Sequence, residues 1–158
     1  MLTTTGQIIA IAAVLANGAV YGTDICATAI TRSVNKHLDD AQVTIAAGWG
    51  HYYGDKRMPI FGAGGVITAV LTTVLALVSG QTGAAIAAGI AVVALLSWLG
   101  FYVRIAKPVN TAQTAAAKSG IIPANARALQ DKWDSILPYR VALQAIAMTG
   151  LASAIALF

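Results

Sequence analysis

Four apolar runs, residues 6–31, 59–79, 83–104 and 138–158, constrain this chain more than anything else in it. Each supplies about the 20 residues an α-helix needs to cross roughly 30 Å of hydrocarbon, where only helices and closed barrels satisfy their own backbones. With 58% hydrophobic and 10% charged residues, too little polar surface remains to coat a water-soluble globule. The expected fold is all-α: one integral membrane domain, 1–158, built as an antiparallel four-helix bundle. Loops 32–58 and 105–137 are expected to carry short cytoplasmic interfacial helices. Met1 to Gly6 lacks the basic residue of a secretory signal, so the first run is expected to remain as a helix.

All ten Lys and Arg residues fall on one side of this arrangement: Arg32, Lys36, Lys56 and Arg57 after the first span, and Arg104, Lys107, Lys118, Arg127, Lys132 and Arg140 around the later loop. Counting basic residues in short loops makes that side cytoplasmic and puts both termini outside, in a multi-pass protein of the plasma (inner) membrane. The same asymmetry accounts for the net charge of +4. No basic groove interleaved with stacking aromatics is present, so nucleic acid is not expected as a partner. The single cysteine, Cys26, has no partner for an intrachain disulfide and sits among small residues, as a helix-packing residue would.

Within the first span Asn17, Tyr21, Asp24 and Thr28 recur at spacings of four, three and four, which confines them to one narrow helical stripe. A carboxylate carried there is a functional-site candidate by default. Beside it run Gly18, Gly22 and Cys26, and the last span has Ala147, Gly150 and Ala154, patterns that let helices approach closely. The third span is expected to break at Lys107-Pro108-Val109-Asn110, because proline disfavours helix in the residue before it. In the first loop, Gln42, Ile45, Ala46, Trp49 and Tyr53 share a helical face, with Asp39 or Asp40 as N-cap. Gly48, Gly50 and Gly54 weaken that helix and leave open a loop folded over the mouth of the bundle. A second amphipathic helix is expected from Pro123, presenting Ala126, Leu129, Trp133 and Ile136.

Arg140 and Asp24 lie at depths that match, and a pair between them would neutralise charges too costly to leave isolated in lipid. Asn17, Tyr21 and Gln144 are placed to complete its hydrogen bonds, and the pair serves equally well as a strut or as part of a site. Apart from Tyr21 and Phe158, the aromatics gather toward the basic side, which favours an aromatic-lined cavity opening there. His51, among Trp49, Tyr52 and Tyr53, is the histidine suited to proton transfer, whereas His37 sits in an exposed charged turn. Fourteen residues of helix would hold the two about 21 Å apart, and no HxxxH, ExxH or CxxC occurs, so no metal is expected. Phosphate-cradling, nucleophile-elbow and dinucleotide motifs are absent as well, and no cofactor is expected.

The four spans, the loop ending Met58-Pro59, the Lys107-Pro108-Val109-Asn110 segment, and Trp133 seven residues before Arg140 together give a familiar layout. In it the chain resembles the anthrone-oxygenase-like family of small four-helix membrane proteins, most of which have no assigned reaction. Members of known activity oxidise anthrones to anthraquinones with molecular oxygen. The resemblance implies Asp24 or His51 as the base and Arg140, with Asn17 or Tyr21, as the group that stabilises the enolate. It implies Trp98, Tyr102 and Trp133 as flanks for a planar substrate, with Asn110 and Gln144 among the substrate-binding side chains. Leu137 stands where the family pattern often has His, so a base at that position is lost.

Two functions follow. One is a membrane enzyme acting on a hydrophobic aromatic, surrounded by lipid. The other is a non-catalytic subunit that docks its small-residue faces on a membrane-protein partner or a second copy of itself.

Overall fold

The computed structural model describes residues 1–158 and contains helices and no strands. Five helices carry the fold: α1 (Leu2–Asn35), α2 (Asp40–Arg57), α3 (Pro59–Val78), α4 (Thr82–Ser119) and α5 (Ala126–Leu157). All but α2 are long and apolar enough to cross a membrane. These four close into a ring of neighbours, α1 lying on α3 and α5, and α4 on the same two. Their outer surface is aliphatic, with Leu15, Ile67, Leu77, Ile90, Val93 and Ile146 among its exposed residues.

The ring is filled by small residues where α3 turns into α4. Ala76, Ala84, Ala85, Ala88 and Ala154 form one core cluster, and Ala13, Ala69, Ala91, Ala94, Leu95, Ala147 and Leu151 form a second beneath it. Without Cγ atoms between them the backbones approach closely, and dispersion rather than bulk holds the helices together. At Gly150 the backbone of one helix meets that of another, since a Cβ there would lie 2.6 Å from the Ala87 carbonyl oxygen.

At the basic end the chain departs from expectation. The break foreseen at Lys107-Pro108 does not occur, and α4 runs on to Ser119. A π-helical stretch, Tyr102–Ala106, precedes the proline, and the Lys107 N–H reaches back to the Tyr102 carbonyl, five residues earlier. The ladder is already re-spaced where Pro108 has no N–H to contribute, so the ring is accommodated without ending the helix. Beyond it the Ala-rich segment 111–117, expected as loop, is helix by propensity and by its packing on α2. Loop 105–137 thus shrinks to the short connection between α4 and α5, and the second amphipathic helix begins at Ala126 rather than Pro123.

Within 32–58 the structure places a continuous helix, not a folded-over loop. Asp39 caps it in a capping box: the Gln42 N–H donates to Asp39 Oδ1 at 2.7 Å and the Asp39 N–H to Gln42 Oε1 at 3.0 Å. Its glycines do not interrupt it, because Gly48 is where α2 meets α4; a Cβ there would collide with the Gln113 carbonyl and the Ala117 side chain. The face holding Ile45, Trp49 and Tyr53 points outward, while Val43, Thr44 and Gly48 are buried. Arg127 fastens the end of α1 and the start of α2 to α5, donating to the carbonyls of Asn35 (3.0 Å) and Leu38 (2.8 Å) and pairing with Asp40 at 2.9 Å. The result is a roof, α2, fixed over the basic end of the ring.

Candidate functional site

Asp24 and Arg140 meet inside the ring. Arg140 donates to Asp24 Oδ1 from Nη2 at 2.8 Å and from Nε at 3.2 Å, and both residues are buried. The other carboxylate oxygen is occupied by α4, where the Trp98 indole N–H donates to Oδ2 at 2.9 Å. The guanidinium carbon lies 4.5 Å over the Trp98 ring, which is itself stacked on Tyr102 at 6.2 Å. Charge neutralisation, hydrogen bonds to both oxygens and a cation–π contact together make the burial of this pair tolerable. One guanidinium nitrogen is left over: Nη1 is buried and has no partner.

Arg140 itself lines a cavity of about 700 Å³ between Asp24 and the roof. Trp133, on the first turns of α5, lines it too, with its indole N–H buried and unpartnered. From the roof, His51 and Asp55 present one face, as residues four apart on a helix do. Asp55 Oδ1 accepts hydrogen bonds from Tyr102 Oη at 2.9 Å and Asn110 Nδ2 at 3.0 Å. His51 stands with its ring centroid 5.3 Å from that of Trp133, and its Nε2 has no partner. Burial pushes its pKa down to about 4 against the opposing pulls of Asp55 and of the Gln113 side chain, which lies near but outside hydrogen-bond geometry, so the imidazole is neutral at physiological pH.

The ladder irregularities of α1 and α4 sit at this level. The π stretch Ala27–Thr31 begins within one turn of Asp24, and Tyr102–Ala106 within one turn of Trp98. Ala27, Thr31, Tyr102 and Ala106 all face the cavity. A wide turn re-aims every side chain beyond it, and such insertions recur at functional sites.

Of the residues singled out in the sequence, Asp24, His51, Trp98, Tyr102, Asn110, Trp133 and Arg140 line the cavity. Asn17, Tyr21 and Gln144 do not, and the expectation that they complete the hydrogen bonds of the Asp24–Arg140 pair is overturned. Asn17 donates to the Ala13 carbonyl at 2.9 Å and packs against Gly65. It lies two turns, about 10 Å, from Asp24. Tyr21 is rotated about 60° from Asp24 around α1, since three residues fall short of a full turn. Gln144 is buried one turn beyond Arg140 with its Oε1 unpartnered. Their place is taken by Trp98, foreseen as a flat wall but acting as a donor. His37 is exposed and does not line the cavity, and no three His, Cys, Asp or Glu side chains gather as a metal-ligand set.

Three polar residues of this region carried little or no sequence signal. Asp55 had one, its spacing of four from His51. Gln113 and Gln130 had none: Gln113 Nε2 donates to Gln130 Oε1 at 3.0 Å, and Gln130 Nε2 to Asp134 Oδ1 at 2.8 Å, joining the end of α4 to the start of α5 behind His51. The packing stripes also divide. Gly150, Ala147 and Ala154 pack inside the ring, whereas a Cβ on Gly22 would meet nothing within 4 Å and Cys26 is exposed. Comparison with protein families, curated proteins and solved structures finds no match to this chain.

Proposed function

We propose that the chain is an integral membrane enzyme of the anthrone-oxygenase type, oxidising a hydrophobic carbon acid with molecular oxygen inside the cavity. In this proposal the four long helices form an antiparallel bundle across the plasma membrane, basic end and roof in the cytoplasm, both termini outside. The aliphatic exterior and the one-sided distribution of Lys and Arg support that orientation. Likeness to the family rests on Met58-Pro59, Pro108, Asn110, Trp133 and Arg140.

The observation that carries the chemistry is that three residues lining one cavity, Arg140, Trp133 and neutral His51, each keep a buried nitrogen without a partner, Nη1, Nε1 and Nε2. A buried donor without an acceptor costs about 1–3 kcal/mol, and a substrate oxygen that gains negative charge is the acceptor that would recover it. Asp24 is a poor base, because both its oxygens are engaged; its part is to hold Arg140. His51 takes a proton from the substrate's methylene carbon, and the enolate oxygen rests on Arg140 and Trp133. The enolate carbon adds to oxygen, the adduct regains a proton from His51 as a hydroperoxide, and loss of water leaves the ketone. One methylene and one O₂ thus give one carbonyl and one water. Asp55, held by Tyr102 and Asn110, offsets the charge on the imidazolium while it lasts.

The test is oxygen uptake by the purified protein in nanodiscs with 9-anthrone, together with the absorbance of the quinone formed. His51→Gln is expected to abolish uptake while the protein stays folded, whereas Arg140→Gln should abolish it and also lower stability, because it leaves Asp24 buried without its counter-ion. A folded protein that consumes no oxygen with anthrone-type carbon acids overturns the proposal. The second reading, docking on another membrane protein, draws on the outward-facing Gly22 and Cys26. It predicts co-purification of a partner that is lost on Gly22→Leu.

A further inference from the structure

Helical glycine costs about 1 kcal/mol relative to alanine, so a glycine inside a helix needs a reason. Gly48, Gly65 and Gly150 have one, since a Cβ at each would run into a neighbouring helix. Gly50 and Gly54 of α2 and Gly62 of α3 have no such neighbour, and a Cβ on any of them would meet nothing within 4 Å. None has a positive φ. All three line the cavity. Gly22, Gly64, Gly89 and Gly100 are equally free of neighbours but do not line it, so these three are set apart by open space that belongs to the cavity.

The same cavity has a side that is not sealed. Ile67 of α3 and Leu99 of α4 both line it, yet they are 58% and 38% exposed on the apolar exterior. The alanine clusters that close the α3–α4 seam end at Ala69 on one helix and Leu95 on the other. Below them the seam gives way to the cavity, flanked by Gly62 and Ile67 on one side and Leu99 and Tyr102 on the other. At the inner end Thr31, Ala46 and Gly50 also line the cavity and are exposed, but there the roof helix is pinned by Arg127 and by the Asp55 contacts to Tyr102 and Asn110.

We propose that the cavity is loaded sideways from the bilayer, through the gap between Ile67 and Leu99, and that Gly50, Gly54 and Gly62 set which molecules fit. The occupant is a lipid-dissolved compound with a flat apolar body and one acceptor oxygen. Its body lies against the glycine wall and its oxygen on Arg140 Nη1 and Trp133 Nε1. This rests on the enzyme reading only for the site, and binding can be measured with the chemistry switched off.

The probe is 9-anthrone, added without oxygen to the protein in phosphatidylcholine nanodiscs, with binding followed by quenching of tryptophan fluorescence. Gly54→Leu and Gly62→Leu are expected to weaken binding by about tenfold or more, because each fills space the ring occupies. Gly54→Ala and Gly62→Ala serve as folding controls and are expected to melt no lower than the parent. Narrowing the gap with Ile67→Phe and Leu99→Phe is expected to slow association and dissociation together by about tenfold, leaving Kd unchanged. Unaltered rates in the phenylalanine variants, or unaltered affinity in folded leucine variants, overturn the proposal. Binding that obeys these expectations in a protein that never consumes oxygen would overturn the enzyme reading alone. Turnover that ignores the glycine and gap substitutions would overturn this proposal alone.

Discussion

The two halves of the four-helix ring are built from the same helices and answer to different physics. Toward the α3–α4 turn, alanines and Gly150 bring backbones into contact and leave no room. Toward the basic end the same helices part around about 700 Å³ of space, lined by a buried ion pair, three aromatics and glycines that touch nothing. Small residues do opposite work in the two places. In the closed half glycine permits an approach, and in the open half it preserves a void. The contrast shows that a small residue in an apolar helix says nothing about its role until the opposing surface is known.

The largest effect is expected at the charge on which the open half is centred. Asp24→Ala leaves Arg140 buried without its counter-ion and should lower stability by about 3–5 kcal/mol. Thermal unfolding in detergent reads this, and adding Arg140→Leu should restore much of the loss. A double variant no better than the single one would mean that the open half is not organised by this pair.

Next comes the pH response of the roof. In the unfolded chain His51 titrates near 6.5, whereas burial holds it at about 4 in the fold, so on acidification the unfolded state takes up the proton first. Stability is therefore undiminished by this group above about pH 6.5, falls as the pH drops toward 4, and levels off below that. The full loss is roughly 3 kcal/mol. Unfolding midpoints at neutral and acidic pH should converge in His51→Gln; an unchanged acid response in that variant would place the sensitivity elsewhere.

The comparison of halves is sharpest in a matched pair of substitutions. Gly150→Ala drives a Cβ toward the Ala87 carbonyl and is expected to cost about 1–3 kcal/mol. Gly50→Ala enters open space and is expected to gain up to about 1 kcal/mol from helix propensity. Equal losses in the two would erase the distinction between the closed and open halves.

The pairing of Asp24 with Arg140 was legible because two lone charges in apolar helices at similar depth have few ways to be satisfied. A cap at Asp39 or Asp40 was legible for a local reason, an acidic residue just before a helical face, and the structure selects Asp39 through its exchange of hydrogen bonds with Gln42. Trp98 was not legible as a donor, since whether an indole offers its face or its N–H depends on how its helix is rotated. Asn17 and Gln144 misled for a related reason, because sharing a stripe with a charged residue does not put a side chain within reach of it. Gln113 was invisible because its segment read as loop while Pro108 was taken to end the helix, and Gln130 because it lies off the expected apolar face of the helix that carries it. The π turn that absorbs that proline carries Tyr102, which reaches Asp55 of the roof, a long-range contact that no local pattern encodes.

From the sequence alone came the all-helical architecture, the four long apolar helices, the gathering of positive charge at one end and the two charges that had to meet. These are properties of composition and period, which neighbouring residues determine among themselves. The tertiary structure alone decided that α2 is a roof, that the ladders of α1 and α4 widen beside Asp24 and Trp98, and which N–H groups remain free. It also decided which glycines face a backbone and which face a void. Those outcomes depend on the rotation and separation of whole helices, set by packing between residues far apart in the chain, and a one-dimensional pattern does not contain them.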